Sequence, residues 1–269
     1  MDLAAYFERV RFTGDVKPDL ATLQALHRAH QYSVPFENLD VQLRRPVGLD
    51  RRASFEKIVR ARRGGWCYEM NGLFEWVLRE IGFDVMRMSA GVMRETQGEQ
   101  QLGNHLCLRV KLDQPYLVDV GFGGSLSEPL PLRKGLREDP PYRIELYEID
   151  DGYWRFSERT DDKPFTFDFR AAPADEALFV EKSRYQQTDP ASPFIQNLVV
   201  QRRTVDTHVS LRGRVLSITH AGGSEDKTVL ESPDELVAAL RSRFDLDVPE
   251  AATLWPAICA RHDAVFSKP

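Results

Sequence analysis

The sequence predicts an α+β fold on three observations: capped helical periodicity through residue 82, strand alternation from Phe83 onward, and a capped helix near residue 232. Asp2 caps a helix through about Val10. Asp19 caps a second, whose Leu20, Leu23, Leu26 and Ala29 share one face. A third is expected from Ser54 to the Arg62-Arg63-Gly64 stop. The fourth begins at Cys67, with Met70, Leu73, Phe74, Val77, Leu78 and Ile81 in i, i+3, i+4 rhythm and Gly82 as a left-handed stop. These four make a helical bundle. Strands are predicted at 83–94, 104–112 and 115–122, then at 143–149 and 153–158 around an Asp151-Gly152 turn. Others follow at 164–169, 196–203, 207–219 around Arg212-Gly213, and 226–231. The proline-bearing stretches 127–142 and 184–195 read as a linker and a loop. Ser232-Pro233-Asp234-Glu235 is a capping box that opens a helix to about Phe244, and 245–269 reads as loop with one short helix.

Composition narrows the function. Three cysteines in 269 residues, at 67, 107 and 259, argue against a disulfide-stapled secreted domain. The first ten residues lack the order of a signal peptide and no run approaches a membrane span, so a soluble cytoplasmic protein is expected, with no membrane partner. The 36 basic and 41 acidic residues are spread without blocks and give no electrostatic footprint for nucleic acid. The partner expected is a small molecule; the oligomeric state is not encoded in any pattern.

Chemistry concentrates around Arg63-Gly64-Gly65-Trp66-Cys67. A cysteine in the first turn of a helix meets free N–H groups and the positive end of the dipole, which favour the thiolate that attacks carbonyl carbon. The paired glycines are expected to let the chain turn sharply and a substrate approach. Such a nucleophile needs a base, and the base an orienting group. Of six histidines, His27 and His30 read as surface groups, and His208, His220 and His262 lie in polar surroundings. His105 differs, heading an alternating strand on the same face as Cys107. Asp119 sits inside Tyr116-Leu117-Val118-Asp119-Val120-Gly121-Phe122, where a buried carboxylate needs a partner. Direct opposition of His105 and Asp119 requires a bulge or asymmetric loop within 110–116. Arg63 and Glu69 are expected to form structural hydrogen bonds or an ion pair beside the site, and the arginines at 202, 203, 212 and 214 a solvated hairpin face. Cys67, His105 and Cys107 with Asp119 would offer zinc-compatible ligands, but His-x-Cys lacks paired Cys-x-x-Cys spacing, and no metal is expected.

Taken together, Arg63-Gly64-Gly65-Trp66-Cys67, Asn71, Asn104-His105 and Val118-Asp119-Val120-Gly121-Phe122-Gly123 resemble the arylamine N-acetyltransferase family. So do the opening Met1-Asp2-Leu3-Ala4-Ala5-Tyr6-Phe7-Glu8-Arg9 and Val34-Pro35-Phe36-Glu37-Asn38-Leu39-Asp40. The resemblance is dense to about residue 124 and thinner beyond. It implies a helical bundle (1–82), a β-barrel-like region (83–190) and an α/β lid (191–269), with a catalytic core like that of cysteine peptidases and transglutaminases. It also implies a catalytic triad at Cys67, His105 and Asp119, and acetyl transfer from acetyl-CoA to aromatic amines, hydrazines or hydroxylamines through an acetyl-cysteine, in xenobiotic metabolism. By motif position, Phe36, Val92, Phe122 and Phe194 match the acceptor pocket and Gly121, Gly123 and Gly124 a turn beside the CoA pantetheine. A cysteine hydrolase or transglutaminase-like enzyme with the same triad, or a non-catalytic ligand-binding module, are the alternatives.

Overall fold

A computed structural model describes residues 1–160 and 164–266. Side-chain caps build its helical start. Asp2 accepts the Ala4 N–H at 3.0 Å and opens α1 (Leu3–Val10), and Asp19 accepts that of Thr22 at 2.8 Å and opens α2 (Leu20–Ser33). A short strand β1 (Phe36–Glu37) and helix α3 (Leu39–Gln42) follow. The helix expected from Ser54 starts earlier, at α4 (Arg51–Phe55), because Asp50 caps Ala53 at 2.8 Å; it then widens into a π-helical turn over Glu56–Arg60. Helix α5 (Cys67–Ile81) ends at Gly82 with φ 103°. Every residue from Cys67 to Leu78 is buried, so α5 is a central helix packed on all sides rather than a surface helix with one apolar stripe.

The alternating region forms β2 (Asp84–Val92), a turn of helix α6 (Arg94–Gln97), β3 (His105–Lys111) and β4 (Pro115–Val118). It continues as β5 (Leu130–Pro131), β6 (Gly135–Asp139), β7 (Tyr142–Glu148), β8 (Trp154–Arg159) and β9 (Phe165–Phe169). The stretch 127–142 expected as a linker therefore holds two strands. All eight pair antiparallel in the order β5-β4-β3-β2-β9-β8-β7-β6. Alternation splits the sheet cleanly: Leu106, Leu108 and Val110 join the α5 core, while Cys107, Met88, Leu117, Phe156 and Phe167 fill the opposite, inward-curled face.

Helix α7 (Glu176–Thr188) crosses the region read partly as a loop, burying Phe179, Ser183 and Gln186 at i, i+4, i+7; α8 (Pro193–Gln196) is capped by Ser192. Strands β10 (Val199–Arg203), β11 (Thr207–Arg212), β12 (Val215–His220) and β13 (Glu225–Val229) make a second antiparallel sheet that begins at β1. Its apolar face, including Val200, Leu211 and Leu216, packs on Leu236, Leu240 and Phe244 of α9 (Pro233–Phe244). The tail is more ordered than expected, with a 3₁₀ segment at Pro249–Leu254 and α10 (Trp255–Phe266). Among the described residues no helix is long and apolar enough to cross a membrane.

Several polar side chains are inside rather than outside. Arg203, expected on a solvated face, is 2 % exposed and joins the two sheets, donating to Asp139 Oδ1 at 2.7 Å and to the Ser125 carbonyl at 3.0 Å. His27, His30 and His208 are buried as well. Burial holds His27 and His208 near 4, so both rings are neutral at physiological pH. His208 Nε2 then donates to the Gly123 carbonyl at 2.8 Å while Nδ1 accepts from the Tyr142 hydroxyl. His27 Nδ1 donates to the Ser127 carbonyl at 3.1 Å and Nε2 faces the Asp119 N–H at 3.4 Å. The helix face carrying His27 and His30 packs on Phe74 of α5, which explains why neighbouring polar letters misplaced them.

Candidate active site

Three elements position the candidate residues: Cys67 opens α5, His105 opens β3, and Asp119 follows β4 directly. Pairing of Lys111 with Pro115 leaves a three-residue turn at 112–114. The direct opposition expected for His105 and Asp119 does not occur; extended by one rung, this register sets Asp119 across from Cys107 and diagonal to His105 on the same face. A diagonal pair is enough. His105 Nε2 donates to Asp119 Oδ2 at 2.6 Å, both groups buried. The other ring nitrogen, Nδ1, is left for Cys67, which lines the same cavity and whose thiol donates to the Asn104 carbonyl at 3.9 Å.

Burial disfavours a charged ring here, but the Asp119 carboxylate and its hydrogen bond, with Cys67 alongside, outweigh it and raise His105 to about 10. In the unfolded chain histidine titrates near 6.5, so this stabilisation is complete below that pH and is lost as pH climbs toward 10. Glu69 and Glu158, raised by burial from 4.5 to about 7 and about 8, also favour the fold at low pH, but their contributions are lost earlier, between about pH 4.5 and those values. Denaturant titrations should show unfolding free energy falling by on the order of 3 kcal/mol between pH 6.5 and 9.5, as linkage requires of a ring that keeps its proton in the fold and loses it in the open chain. A level profile would refute the charged pair.

The carboxylate is itself held. Asp119 Oδ1 accepts from Asn71 Nδ2 and from the Gly121 N–H, each at 2.8 Å. The same Asn71 amide nitrogen donates to the Leu106 carbonyl at 2.7 Å, and its oxygen accepts from the Val120 N–H at 2.9 Å. One side chain of α5 thus ties the helix that begins at Cys67 to β3 and to the segment after β4. The motif marked Asn71 in the sequence; its role needed three dimensions.

Behind Cys67 lies a buried charge cluster. Arg63 and Glu69 do not pair with each other: Arg63 takes Glu37 at 2.7 Å and Asp40 at 3.1 Å, while Glu69 accepts from Lys57 at 2.9 Å and from the Trp66 N–H at 3.3 Å. Glu69 therefore caps α5 at the residue before the cysteine. Gly64 and Gly65 also serve differently from expectation, for they make room for protein rather than substrate. The 64–65 segment pairs with Pro35–Glu37, and a β-carbon on Gly64 would lie 2.1 Å from the Pro35 carbonyl oxygen. Backbone cannot yield as a side chain does. Gly64→Ala should lose about 3 kcal/mol or more, as overpacking against a fixed group does, read as a lower urea midpoint.

Cys67 and His105 open into a cavity of about 540 Å³. Larger hollows of about 660 and 850 Å³ elsewhere touch neither. Phe36, Val92, Phe122 and Phe194 all line this cavity, as does Gly121. Gly123 and Gly124 do not; with φ 88° and 101° they pack on Gln201 and Arg203 of β10. Phe122 and Phe167 flank the His105 ring at 5.2 and 5.1 Å, and half-exposed Phe165 stacks on Phe122 at 5.2 Å. Phe165, Gln186, Gln201, Ser210 and Arg212 also line the cavity and were not singled out as substrate contacts from sequence. Alternation along β10 and β11 could have found the last three. The zinc-compatible set does not assemble, since among the described residues no three His, Cys, Asp or Glu groups gather as ligands.

A family model described as N-acetyltransferase matches residues 19–253. An arylamine N-acetyltransferase of Mycolicibacterium smegmatis is 38% identical over 262 residues, covering 94% of each chain. The chain belongs to the arylamine N-acetyltransferase family. An Escherichia coli (strain K12) arylamine N-acetyltransferase is 33% identical over 258 residues, covering 91% of this chain and 89% of that one. Among solved structures of arylamine N-acetyltransferases, that of Mycobacterium marinum in complex with CoA superposes with a TM-score of 0.87 at 31% identity, covering 98% of this chain and 99% of that one. The Mycobacterium tuberculosis enzyme gives 0.85 at 34% identity, covering 96% and 99%.

Proposed function

We propose that this protein moves an acetyl group from acetyl-CoA to the nitrogen of aromatic amines, hydrazines or hydroxylamines, by a ping-pong route through acetylated Cys67. The observation that carries the reading is His105, bridged to Asp119 at 2.6 Å and sharing an aromatic-lined cavity with Cys67. The names of the relatives and the CoA complex of the Mycobacterium marinum protein support the donor and acceptor classes.

In the first half, the Cys67 thiolate, paired with His105 in its imidazolium form, attacks the thioester carbonyl. The Cys67 N–H at the head of α5 receives the oxyanion, and His105 Nδ1 gives its proton to the departing CoA sulfur. In the second, the amine attacks the acetyl-cysteine and His105 takes its proton, while Asp119 keeps the ring oriented and balances its charge. Thioester exchange is nearly neutral; amide formation drives the sequence. Phe36, Val92, Phe122 and Phe194 provide flat apolar walls for an aromatic acceptor, and Gly121 borders the path of the pantetheine. The reading also takes the core as peptidase- or transglutaminase-like, with 1–82 supplying the nucleophile, 83–190 the base and carboxylate, and 191–269 a lid wall, in a cytoplasmic enzyme.

Intact-mass measurement after mixing with acetyl-CoA tests it. One acetyl adduct, discharged by added arylamine, is expected. Discharge by water alone at the same rate would indicate a hydrolase, and no adduct would indicate a binding module.

A further inference from the structure

The strands that wall the cavity opposite the triad present two unlike faces. Val200 and Leu211 point into the α9 core, whereas Gln201, Ser210 and Arg212, in register across β10 and β11, point toward the cavity. Among the described residues, none of these three side chains has a hydrogen bond or ion pair with the protein. They form a polar row with its bonding capacity unspent. Arg212, the last residue of β11, is exposed, while Cys67, which lines the same cavity, is 4 % exposed.

The neighbouring arginines are already committed. Arg203 is buried on Asp139, Arg202 donates to the Tyr32 carbonyl at 3.4 Å, and Arg214 donates to the Leu230 carbonyl at 2.8 Å. Among the described residues that line the cavity, His105 and Arg212 are the basic groups and none is a carboxylate. His105 is occupied by Asp119. In a chain of formal net charge -5, a guanidinium with no carboxylate partner among the described residues is a local attractor for an anion. Its planar donor fork suits phosphate oxygens.

We infer that Arg212 binds the phosphate-bearing end of the acyl-CoA donor at the cavity mouth, with Ser210 and Gln201 along the approach to Cys67. This rests on the acetyl-transfer reading above. The guanidinium is a positioning group for the donor, remote from the reacting carbonyl, so it bears on capture of the donor and leaves the chemical step alone.

The test compares two donors, acetyl-CoA and acetyl-pantetheine, which carries the same thioester without phosphates. In R212Q, KM for acetyl-CoA should rise about fivefold with kcat little changed, the scale of one exposed charge-assisted contact. The loss should vanish with acetyl-pantetheine. Wild-type KM for acetyl-CoA should rise with added salt more steeply than that of the variant. R214Q, altered outside the cavity, serves as the control for removing a surface charge. Equal KM values for acetyl-CoA in R212Q and wild type, or an equal loss with both donors, would overturn the assignment while leaving acetyl transfer standing. Wild-type protein that takes an acetyl group from neither donor would overturn both.

Discussion

Cys67→Ala is expected to take up no acetyl group from acetyl-CoA and to lose at least about a thousandfold in turnover, since among the described residues Cys67 is the thiol that lines the cavity with His105. Cys107 shares the strand face but is buried in the inner core, with burial pushing its thiol up. It cannot substitute. Truncating one sulfur at the head of α5 leaves the cap from Glu69 and the Asn71 contacts in place, so circular dichroism and the urea midpoint should stay near wild type. Intact-mass spectra decide the matter: an adduct on the alanine variant would remove Cys67 as the acyl carrier.

Asp119→Asn should cost about three to four orders of magnitude in rate, through a change of tautomer. The amide oxygen can still accept from Asn71 and the Gly121 N–H, which places the amide NH₂ against His105 Nε2. That nitrogen must then accept, so the proton moves to Nδ1 and faces the sulfur, where it blocks uptake of the cysteine proton. Removing the charge that holds His105 near 10 should also lower stability by about 3 kcal/mol, the scale of a broken buried pair. Pre-steady-state acetylation of Cys67 and denaturant unfolding measure the two effects separately. Wild-type acetylation rates in the variant would reduce Asp119 to a structural carboxylate satisfying its local backbone.

Much of this is legible in one dimension because the relevant constraints are local. Caps at Asp2, Asp19 and Ser232 and the stop at Gly82 stand where side-chain chemistry puts them. Cys67, His105 and Asp119 are conspicuous because each is a reactive or charged letter in an apolar frame. Helix α7 is not, since its buried positions include Ser183 and Gln186, polar side chains that find partners only across the fold. Nor is the burial of Arg203, whose acceptors, Asp139 and the carbonyls near it, come from a strand 64 positions away. A two-residue turn at 113–114 would put His105 and Asp119 on opposite faces. The three-residue turn observed restores one face, a parity that composition alone does not reveal.

The Asn71 amide has a consequence for biogenesis. Cys67 leaves the ribosome ahead of both its partners, and the emerging helix carries no histidine; only when the later strands dock and the amide latches them does the sulfur meet an imidazole. An unfinished chain is thereby kept chemically quiet toward thioesters, and reactivity arrives together with completion of the sheet.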